Sequence, residues 1–211
     1  MAKRVGAANY AKNIFINCPF DNDYQHLFDA IVFTVLDCGY YPRCALEITD
    51  AAEVRIDKIF RIISDSKFGI HDISRTELDP VHSLPRFNMP LELGLFLGAR
   101  QYGVAHQKKK VCLIFDHEPY RFQKFVSDIA GQDITAHEND IATLIRKIRN
   151  CLSTHSGNIL LPGGDKIIER YNTFRATLPA LCADLHLTPA SLTFSDRVHL
   201  AKGWLSKNAT A

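Results

Sequence analysis

Short apolar runs alternate with longer segments of helical periodicity from about residue 12 to residue 153. This alternation predicts strands separated by helices, the pattern of a parallel sheet built from βαβ units. The predicted strands are 13–18, 40–46, 68–73, 110–115 and 133–136, and the predicted helices are 23–36, 54–63, 89–100, 120–129 and 141–152. We therefore expect an α/β fold, a three-layer, flavodoxin-like or TIR-like domain with a five-stranded, mainly parallel sheet.

The pattern changes after Ser153. Turn-forming residues precede an interrupted amphipathic stretch in which Pro179 restarts or kinks a helix, and a further helix is predicted over 198–205. We expect an α/β domain over 12–153 and a helical appendage over 154–211, which packs on this domain or on a partner.

Composition and charge argue against several classes of protein. The chain has 211 residues, 46% of them hydrophobic, and a formal net charge of only +2. This describes a globular protein without the concentrated positive charge of a nucleic-acid binder, and balanced charge opposes nucleic-acid binding through 108–110 and 146–149. No apolar stretch reaches the roughly 20 residues that cross a bilayer, and no apolar signal-peptide core follows residues 1–4. We expect a cytoplasmic protein with no membrane contact.

The cysteines and histidines do not form a metal-binding motif. None of the six cysteines lies in a C-x-x-C spacing, and none of the nine histidines belongs to an H-E-x-x-H motif. Cys18 and Cys112 lie inside apolar runs, where a free thiol packs as a small hydrophobic group. We expect reduced cysteines and no metal site.

Polar side chains follow the first and third predicted strands. In a parallel sheet of the order 2-1-3-4-5, ligands bind beyond the carboxyl ends of these two strands. The residues that the sequence places there are Phe20, Asp21, Asp72, Ser74, Arg75, Arg86 and Asn88.

Glu92 is the one carboxylate in the apolar run 88–98. Pro90 suits the first turn of a helix, and a cap at Asn88 or Met89 places Glu92 in that turn. A glutamate there can serve the positive end of the helix dipole, but a capping box would need Ser or Thr where Met89 stands. The residues by themselves leave both a structural and a functional role open.

Two glycines follow Glu92 at a spacing of four residues, Gly94 and Gly98. We expect them to let the helix lie close against the sheet. A close helix would aim the carboxylate of Glu92 into the crevice instead of into bulk water.

Four segments, in their order, carry a resemblance to a known superfamily. They are Ile-Asn-Cys-Pro-Phe-Asp, Gly-Ile-His-Asp-Ile-Ser, Asn-Met-Pro-Leu-Glu-Leu-Gly and Lys-Val-Cys-Leu-Ile-Phe. The chain resembles, from residue 12 to about 150, the superfamily that joins nucleoside 2-deoxyribosyltransferases, nucleotide N-glycosidases and TIR-like NAD-cleaving domains. The resemblance implies a nucleotide-binding domain in which Glu92 is the catalytic carboxylate at the sugar C1′.

The resemblance implies a role for each of three residues. Glu92 would attack C1′ or stabilise the positive charge that develops there when an N-glycosidic bond breaks. Asp72 would contact the sugar or the departing base, and Phe20 would flank the base. Asp72 as a simple turn residue and Phe20 as a plug at the sheet edge remain the structural alternatives. No metal and no separate cofactor is implied, since NAD or a related nucleotide is itself the substrate or ligand.

Arg86 departs from the deoxyribosyltransferase pattern, which has an acidic residue about two helical turns before the catalytic glutamate. An arginine pairs bidentately with phosphate oxygens, so this change favours a small anionic nucleotide over a free nucleoside. Arg75 could share the task. A surface ion pair remains the alternative for both arginines.

The expected function is cleavage, by hydrolysis or transfer, of the N-glycosidic bond of NAD or a related nucleotide. The resemblance to TIR domains also implies a homo-oligomer. The alternative is a non-catalytic nucleotide-sensing or assembly module, and an ion-paired Glu92 without access from the crevice would favour it. Contact of Asp72 with the base would favour a purine or pyrimidine leaving group, because nicotinamide departs without a general acid.

Overall fold

The computed structural model describes residues 7–47, 50, 52–76, 78, 83–157 and 159–208. Its strands are β1 (Asn13–Asn17), β2 (Tyr41–Arg43), β3 (Phe68–Asp72), β4 (Val111–Asp116) and β5 (Ile134–Ala136). Its helices are α1 (Gln25–Asp37), α2 (Arg55–Ser64), α3 (Asn88–Tyr102), α4 (Ile141–Thr154), α5 (Gly164–Ala183) and α6 (Phe194–Asn208). The strands form a sheet of the order β2-β1-β3-β4-β5, with β3 parallel to β1 and β4, and β4 parallel to β5. The predicted α/β, flavodoxin-like fold with C-terminal helices is confirmed.

Two elements differ from their prediction. The helix expected over 120–129 consists of two short 3₁₀ helices, Arg121–Lys124 and Ser127–Ile129. Tyr120 precedes them in a left-handed conformation with φ of 61°, and the Arg121 side chain binds the ends of two strands instead of lying along a helix surface. Farther along, α5 continues through Pro179 and does not restart there.

The chain divides into two compact units. One comprises Met1–Asn22 and Arg43–Asn139, and the other comprises Asp23–Pro42 and Asp140–Ala211. Strands β1 and β3 to β5 belong to the first unit together with α2 and α3, whereas α1 and α4 belong to the second unit with α5 and α6. In this division α1 and α4 group with the C-terminal helices, and the predicted domain bounds of 12–153 and 154–211 stay a prediction.

In the first unit, α2 and α3 cover one face of the sheet. Apolar side chains from β1, α2 and α3 meet in one buried cluster, which contains Phe15, Ala45, Ile59, Ile62, Ile63 and Phe96. A second buried cluster joins the start of α3 to β4 and contains Ile73, Met89, Leu93, Ile114 and Phe122. These clusters hold the first turns of α3, and with them Glu92, against the sheet.

The close contact between β3 and α3 depends on Gly69. A Cβ atom at Gly69 would lie 2.5 Å from Nε2 of His71 and 2.8 Å from Cζ of Phe96, so a side chain there would displace both rings. Cβ atoms at Gly94 and Gly98 would meet no atom of a packed neighbour within 4 Å among the described residues. The prediction that these two glycines bring the helix close to the sheet is therefore wrong. The glycine that allows the approach lies in the strand.

In the second unit, the C-terminal helices pack against α1 of the same chain. The ring of Phe33 stacks on Phe174 at 5.2 Å between centroids and contacts Trp204 at 6.0 Å. Asp29 of α1 forms a salt bridge with Arg197 of α6, in which both side chains are largely buried. Aromatic packing and a buried ion pair together join α5 and α6 to α1.

Three sequence expectations concern cysteines, membranes and the N-terminus. The six cysteines are free thiols, and four of them are buried as expected of packing residues. In the part of the chain that the structure describes, no helix has the length and apolar character needed to cross a membrane. The sequence predicts that no signal-peptide core follows residues 1–4. These four residues lie outside the described residues.

Candidate functional site

The end of β1 anchors the first turn of α3. Asn17 is buried at the end of this strand, and its Nδ2 donates hydrogen bonds to the main-chain oxygen of Met89 at 2.9 Å and to Nδ1 of His71 at 3.0 Å. These two bonds use both hydrogens of the amide group. They tie two neighbouring strands to the part of the helix that carries Glu92. Sequence reasoning missed this role, because a lone asparagine at a strand end gives no sign of its partners.

His71 is a neutral spacer between the sheet and α3. Because Nδ1 accepts the hydrogen bond from Asn17, the proton of the neutral ring lies on Nε2. Burial, and then the charge of Lys110, lowers the pKa of His71 to about 3. The ring contacts Phe15 at 5.6 Å and Phe96 at 4.9 Å, both edge to face. His71 therefore sets the distance of the helix from the sheet without carrying charge.

Glu92 lies one turn into α3. The helix begins at Asn88, and Phe87, which makes no side-chain cap, accepts a hydrogen bond from the amide of Leu91 at 3.0 Å. Pro90 lies in the first turn, as predicted, but Glu92 is the fifth helical residue and starts the second turn. The helix dipole acts mainly within the first turn, so it explains a glutamate at this position poorly.

The carboxylate of Glu92 is buried and faces a cavity. Glu92 is only 5% exposed and lines a cavity of about 180 Å³. The other lining residues are Arg55, Ile56, Ile59, Asn88 and Leu91. Among the residues that the structure describes, none donates a hydrogen bond to this carboxylate and none forms an ion pair with it. Burial raises the pKa of Glu92 to about 7, and the charge of Arg55 only partly opposes this rise.

A carboxyl group of this kind has two chemical capacities near neutral pH. With a pKa of about 7, it is present both as the acid and as the carboxylate. The carboxylate form is poorly solvated, so it interacts strongly with any positive charge that enters the cavity. The site is therefore suited to stabilise or attack a cationic carbon.

Asp72 is held by fixed partners. It is fully buried at the end of β3, and its Oδ1 accepts a hydrogen bond from the amide of Ser74 at 2.8 Å. Its Oδ2 lies 3.0 Å from Nε2 of His137, in a short contact that lacks the geometry of a hydrogen bond. Nδ1 of His137 accepts a hydrogen bond from the amide of Asn139 at 3.0 Å, so the proton of the neutral ring lies on the nitrogen that faces Asp72. Sequence reasoning missed His137, because its contact with Asp72 depends on β3 and β5 flanking β4.

The side chain of Asp72 points away from the face of the sheet on which α3, the helix that carries Glu92, is packed. The side chain of His71 points towards α3, where it contacts Phe96. Successive strand residues point to opposite faces, so Asp72 points away from α3. The structure therefore does not bring Asp72 into the cavity that Glu92 and Asn88 line.

The predicted carboxylates nevertheless surround the loop after β1. Burial, and then the charges of Asp72, Cys44, Glu92 and Asp21, raise the pKa of the Cys18 thiol well above its usual range. All three carboxylates thus lie within electrostatic range of this thiol. The structure gathers them at the carboxyl end of β1, as the fold predicts, but on different sides of it.

Arg75 and Arg86 converge on Asp21. Nη2 of Arg75 lies 3.1 Å from Oδ1 of Asp21, and Nη1 of Arg86 lies 3.8 Å from Oδ2. The half-buried Phe20 immediately precedes this carboxylate. The structure therefore shows the ion-pair arrangement that the sequence left open for both arginines.

Arg121 fixes the start of the loop that follows β3. Its Nε donates to Oδ1 of the buried Asp116 at 2.8 Å. Its other nitrogens donate to the main-chain oxygens of Ile73 and Ser74 at 3.2 and 2.7 Å and to Oγ1 of Thr76 at 2.6 Å. This side chain holds the loop that carries Ser74 and Arg75. Sequence reasoning missed it, because the segment was expected to be a helix.

Comparison with known proteins leaves the family open. In the part of the chain that the structure describes, no three His, Cys, Asp or Glu side chains are grouped so that they could hold a metal ion. No family model and no curated protein matches the chain.

Proposed function

We propose that the chain cleaves the N-glycosidic bond of NAD or a related nicotinamide nucleotide, by hydrolysis or transfer, with Glu92 as the catalytic carboxylate. The observation that carries this proposal is the buried carboxylate of Glu92, which faces a cavity of about 180 Å³. A carboxyl group whose pKa is raised by burial costs stability, and such groups are concentrated at functional sites. The cavity gives this group access to a substrate, whereas an ion-paired glutamate without such access would favour the non-catalytic module.

The chemistry needs one well-placed carboxylate. As the bond from C1′ to nitrogen breaks, its electron pair leaves with the nitrogen and positive charge develops on the sugar. Glu92 then forms a bond to C1′, or remains as its counter-ion, until water or another acceptor adds on. Nicotinamide leaves a cationic linkage as a neutral molecule, so this step needs no proton donor.

Asp72 takes no part in proton transfer in this proposal. Both of its oxygens have partners, Ser74 and His137, and it points away from the helix that carries Glu92. The role expected for Asp72 in contact with the base thus becomes one of positioning the loop after β3. A leaving group that needs no acid is therefore favoured over a purine or pyrimidine.

The test is base release by the purified full chain, followed by chromatography. NAD, nicotinamide mononucleotide and a panel of nucleoside monophosphates are incubated over a range of protein concentrations, since the resemblance to TIR domains implies a homo-oligomer. We expect Glu92→Gln to lower nicotinamide release at least about a hundredfold, the scale on which a single transition-state stabiliser acts. Glu169→Gln, which removes an exposed carboxylate on α5, is the matched control and should leave the rate unchanged.

Two results would overturn the proposal. One is the absence of base release from every compound at every protein concentration. The other is full release by Glu92→Gln. Binding of NAD without release would instead support the non-catalytic sensing module.

A further inference from the structure

Among the described residues that line the cavity of Glu92, one is a cation, and sequence reasoning did not single it out. Arg55 is the first residue of α2, is exposed, and lines the cavity together with Glu92 and Asn88. Within the described part of the chain it forms no ion pair. Arg75 and Arg86, in contrast, are both engaged by Asp21. Arg55 is therefore the arginine best placed to meet an anion beside Glu92.

The start of α2 adds main-chain donors to this cation. Val54 precedes the helix in an extended conformation without a side-chain cap, and its oxygen accepts from the amides of Asp57 and Lys58 at 3.1 and 3.2 Å. The amides of Arg55 and Ile56 precede these bonds and have no partner within the helix. Both residues line the cavity. Uncapped amides at the positive end of a helix attract phosphate groups.

The size of the cavity limits what it can hold. Its volume of about 180 Å³ exceeds the roughly 10–15 Å³ that a cavity needs, on this measure, to hold one water molecule. It falls below the roughly 300–1,000 Å³ of pockets that enclose a whole drug-sized ligand. The cavity therefore suits one sugar with its phosphate, and the rest of a nucleotide would extend past the exposed Leu91 at the rim.

We propose that Arg55 and the N-terminus of α2 form a subsite for the 5′-phosphate of the sugar whose C1′ faces Glu92. This inference rests on the proposed function and narrows its substrates to compounds that carry a phosphate on the ribose that is cleaved. Arg55 then determines specificity for nucleotides over nucleosides. Arg75 and Arg86 orient Asp21 in the loop after β1.

The kinetic test compares nicotinamide mononucleotide with nicotinamide riboside, which differ only by the 5′-phosphate. We expect the wild-type protein to prefer the mononucleotide in kcat/KM, and Arg55→Gln to reduce this preference at least about tenfold by raising KM. Cleavage of the riboside should change less than cleavage of the mononucleotide, because the riboside has no phosphate for Arg55 to bind and feels only the effect of Arg55 on the pKa of Glu92. Arg61→Gln, on the same helix but outside the cavity, is the matched control. A preference that survives Arg55→Gln, or that is lost in Arg86→Gln instead, would overturn the subsite.

A binding measurement separates this inference from the proposed catalysis. Calorimetry with the Glu92→Gln protein measures the affinity for ribose 5-phosphate without turnover. We expect at least about tenfold weaker binding in the double variant that also carries Arg55→Gln. If this dependence is found while the wild-type protein releases no base, the subsite stands and the catalysis fails. If ribose 5-phosphate does not bind, or binds equally well without Arg55, the subsite fails whatever the enzyme activity.

Discussion

Two buried carboxylates of the first unit differ in their partners: Asp116 has a cationic partner, and Glu92 has none among the described residues. Asp116, at the end of β4, is fully buried, and its Oδ1 accepts hydrogen bonds from Arg121 at 2.8 Å and from the amide of His117 at 2.7 Å. Glu92 is 5% exposed and faces a cavity without a donor among the described residues. A stable fold pairs its buried charges, because an unpaired one is costly. We therefore interpret Asp116, which Arg121 neutralises, as a structural group, and Glu92 as the group that the proposed function uses.

Arg121→Met removes the cationic partner of Asp116 and has the largest expected effect on the free energy of unfolding. It leaves Asp116 buried without its counter-charge, a loss that typically costs about 3–5 kcal/mol in the free energy of unfolding. Urea unfolding near neutral pH measures this cost. Arg61→Met is the control, because its salt bridge with Glu53 is partly exposed and is expected to contribute less than about 1 kcal/mol. Equal losses in the two variants would show that Asp116 is not a structural group.

Glu92→Gln removes the ionisable group that has no partner and should stabilise the protein. Burial raises the pKa of Glu92 from 4.5 to about 7, so the native state keeps a proton that the unfolded chain loses in this pH range. Wild-type stability therefore falls as the pH rises from about 4.5 to 7, whereas the glutamine variant lacks this contribution. At about 1.4 kcal/mol per pKa unit, the variant gains about 3 kcal/mol above pH 7 and almost nothing below pH 4.5.

Paired unfolding curves of the wild-type and Glu92→Gln proteins across this pH range check the prediction. Glu169→Gln serves as the control, since it removes an exposed carboxylate. A difference between Glu92→Gln and the wild type that stays constant with pH would show that Glu92 is not desolvated in solution.

His137→Leu sharpens the comparison at a second paired carboxylate. It removes the contact with Oδ2 of Asp72 and leaves the amide of Asn139 without its acceptor. Asn139 is exposed, so its amide can bond to water, and the cost falls on the fully buried carboxylate of Asp72. An unsatisfied buried polar group costs about 1–3 kcal/mol, so we expect a loss of no more than this size in thermal or urea unfolding. A neutral substitution would indicate that Asp72 does not depend on this histidine.

The smallest expected effect is the change in the rate of base release for each pH unit. Only the ionised form of Glu92 stabilises a cationic sugar, and its pKa is about 7. We expect kcat/KM to rise about tenfold per pH unit below pH 7 and to level off above it. A rate that falls as the pH rises through 7 would assign Glu92 the role of a proton donor instead.

The limits of sequence reasoning are clearest in the segment 120–129. Its apolar spacing predicts a helix, yet the structure has two short 3₁₀ helices. Phe122 is buried there, while Arg121 reaches Asp116 and the main chain of Ser74. These contacts cross two strands of the sheet. A local sequence pattern cannot show these contacts. Tertiary packing therefore outweighs the helix propensity of this segment.

The sequence by itself determined the order of strands and helices, the strand ends at which polar residues gather, and the position of Glu92 as a lone carboxylate in an apolar helix. The tertiary structure decided which partner each of these groups has. In the folded chain Asp72 contacts His137, and Glu92 and Arg55 line the same cavity. The glycine that allows the close contact between helix and strand is Gly69. The physical reason is that periodicity reports the local conformation of the chain. Partners are set by strand order and by the alternation of side chains between the two faces, which bring together residues far apart in the sequence.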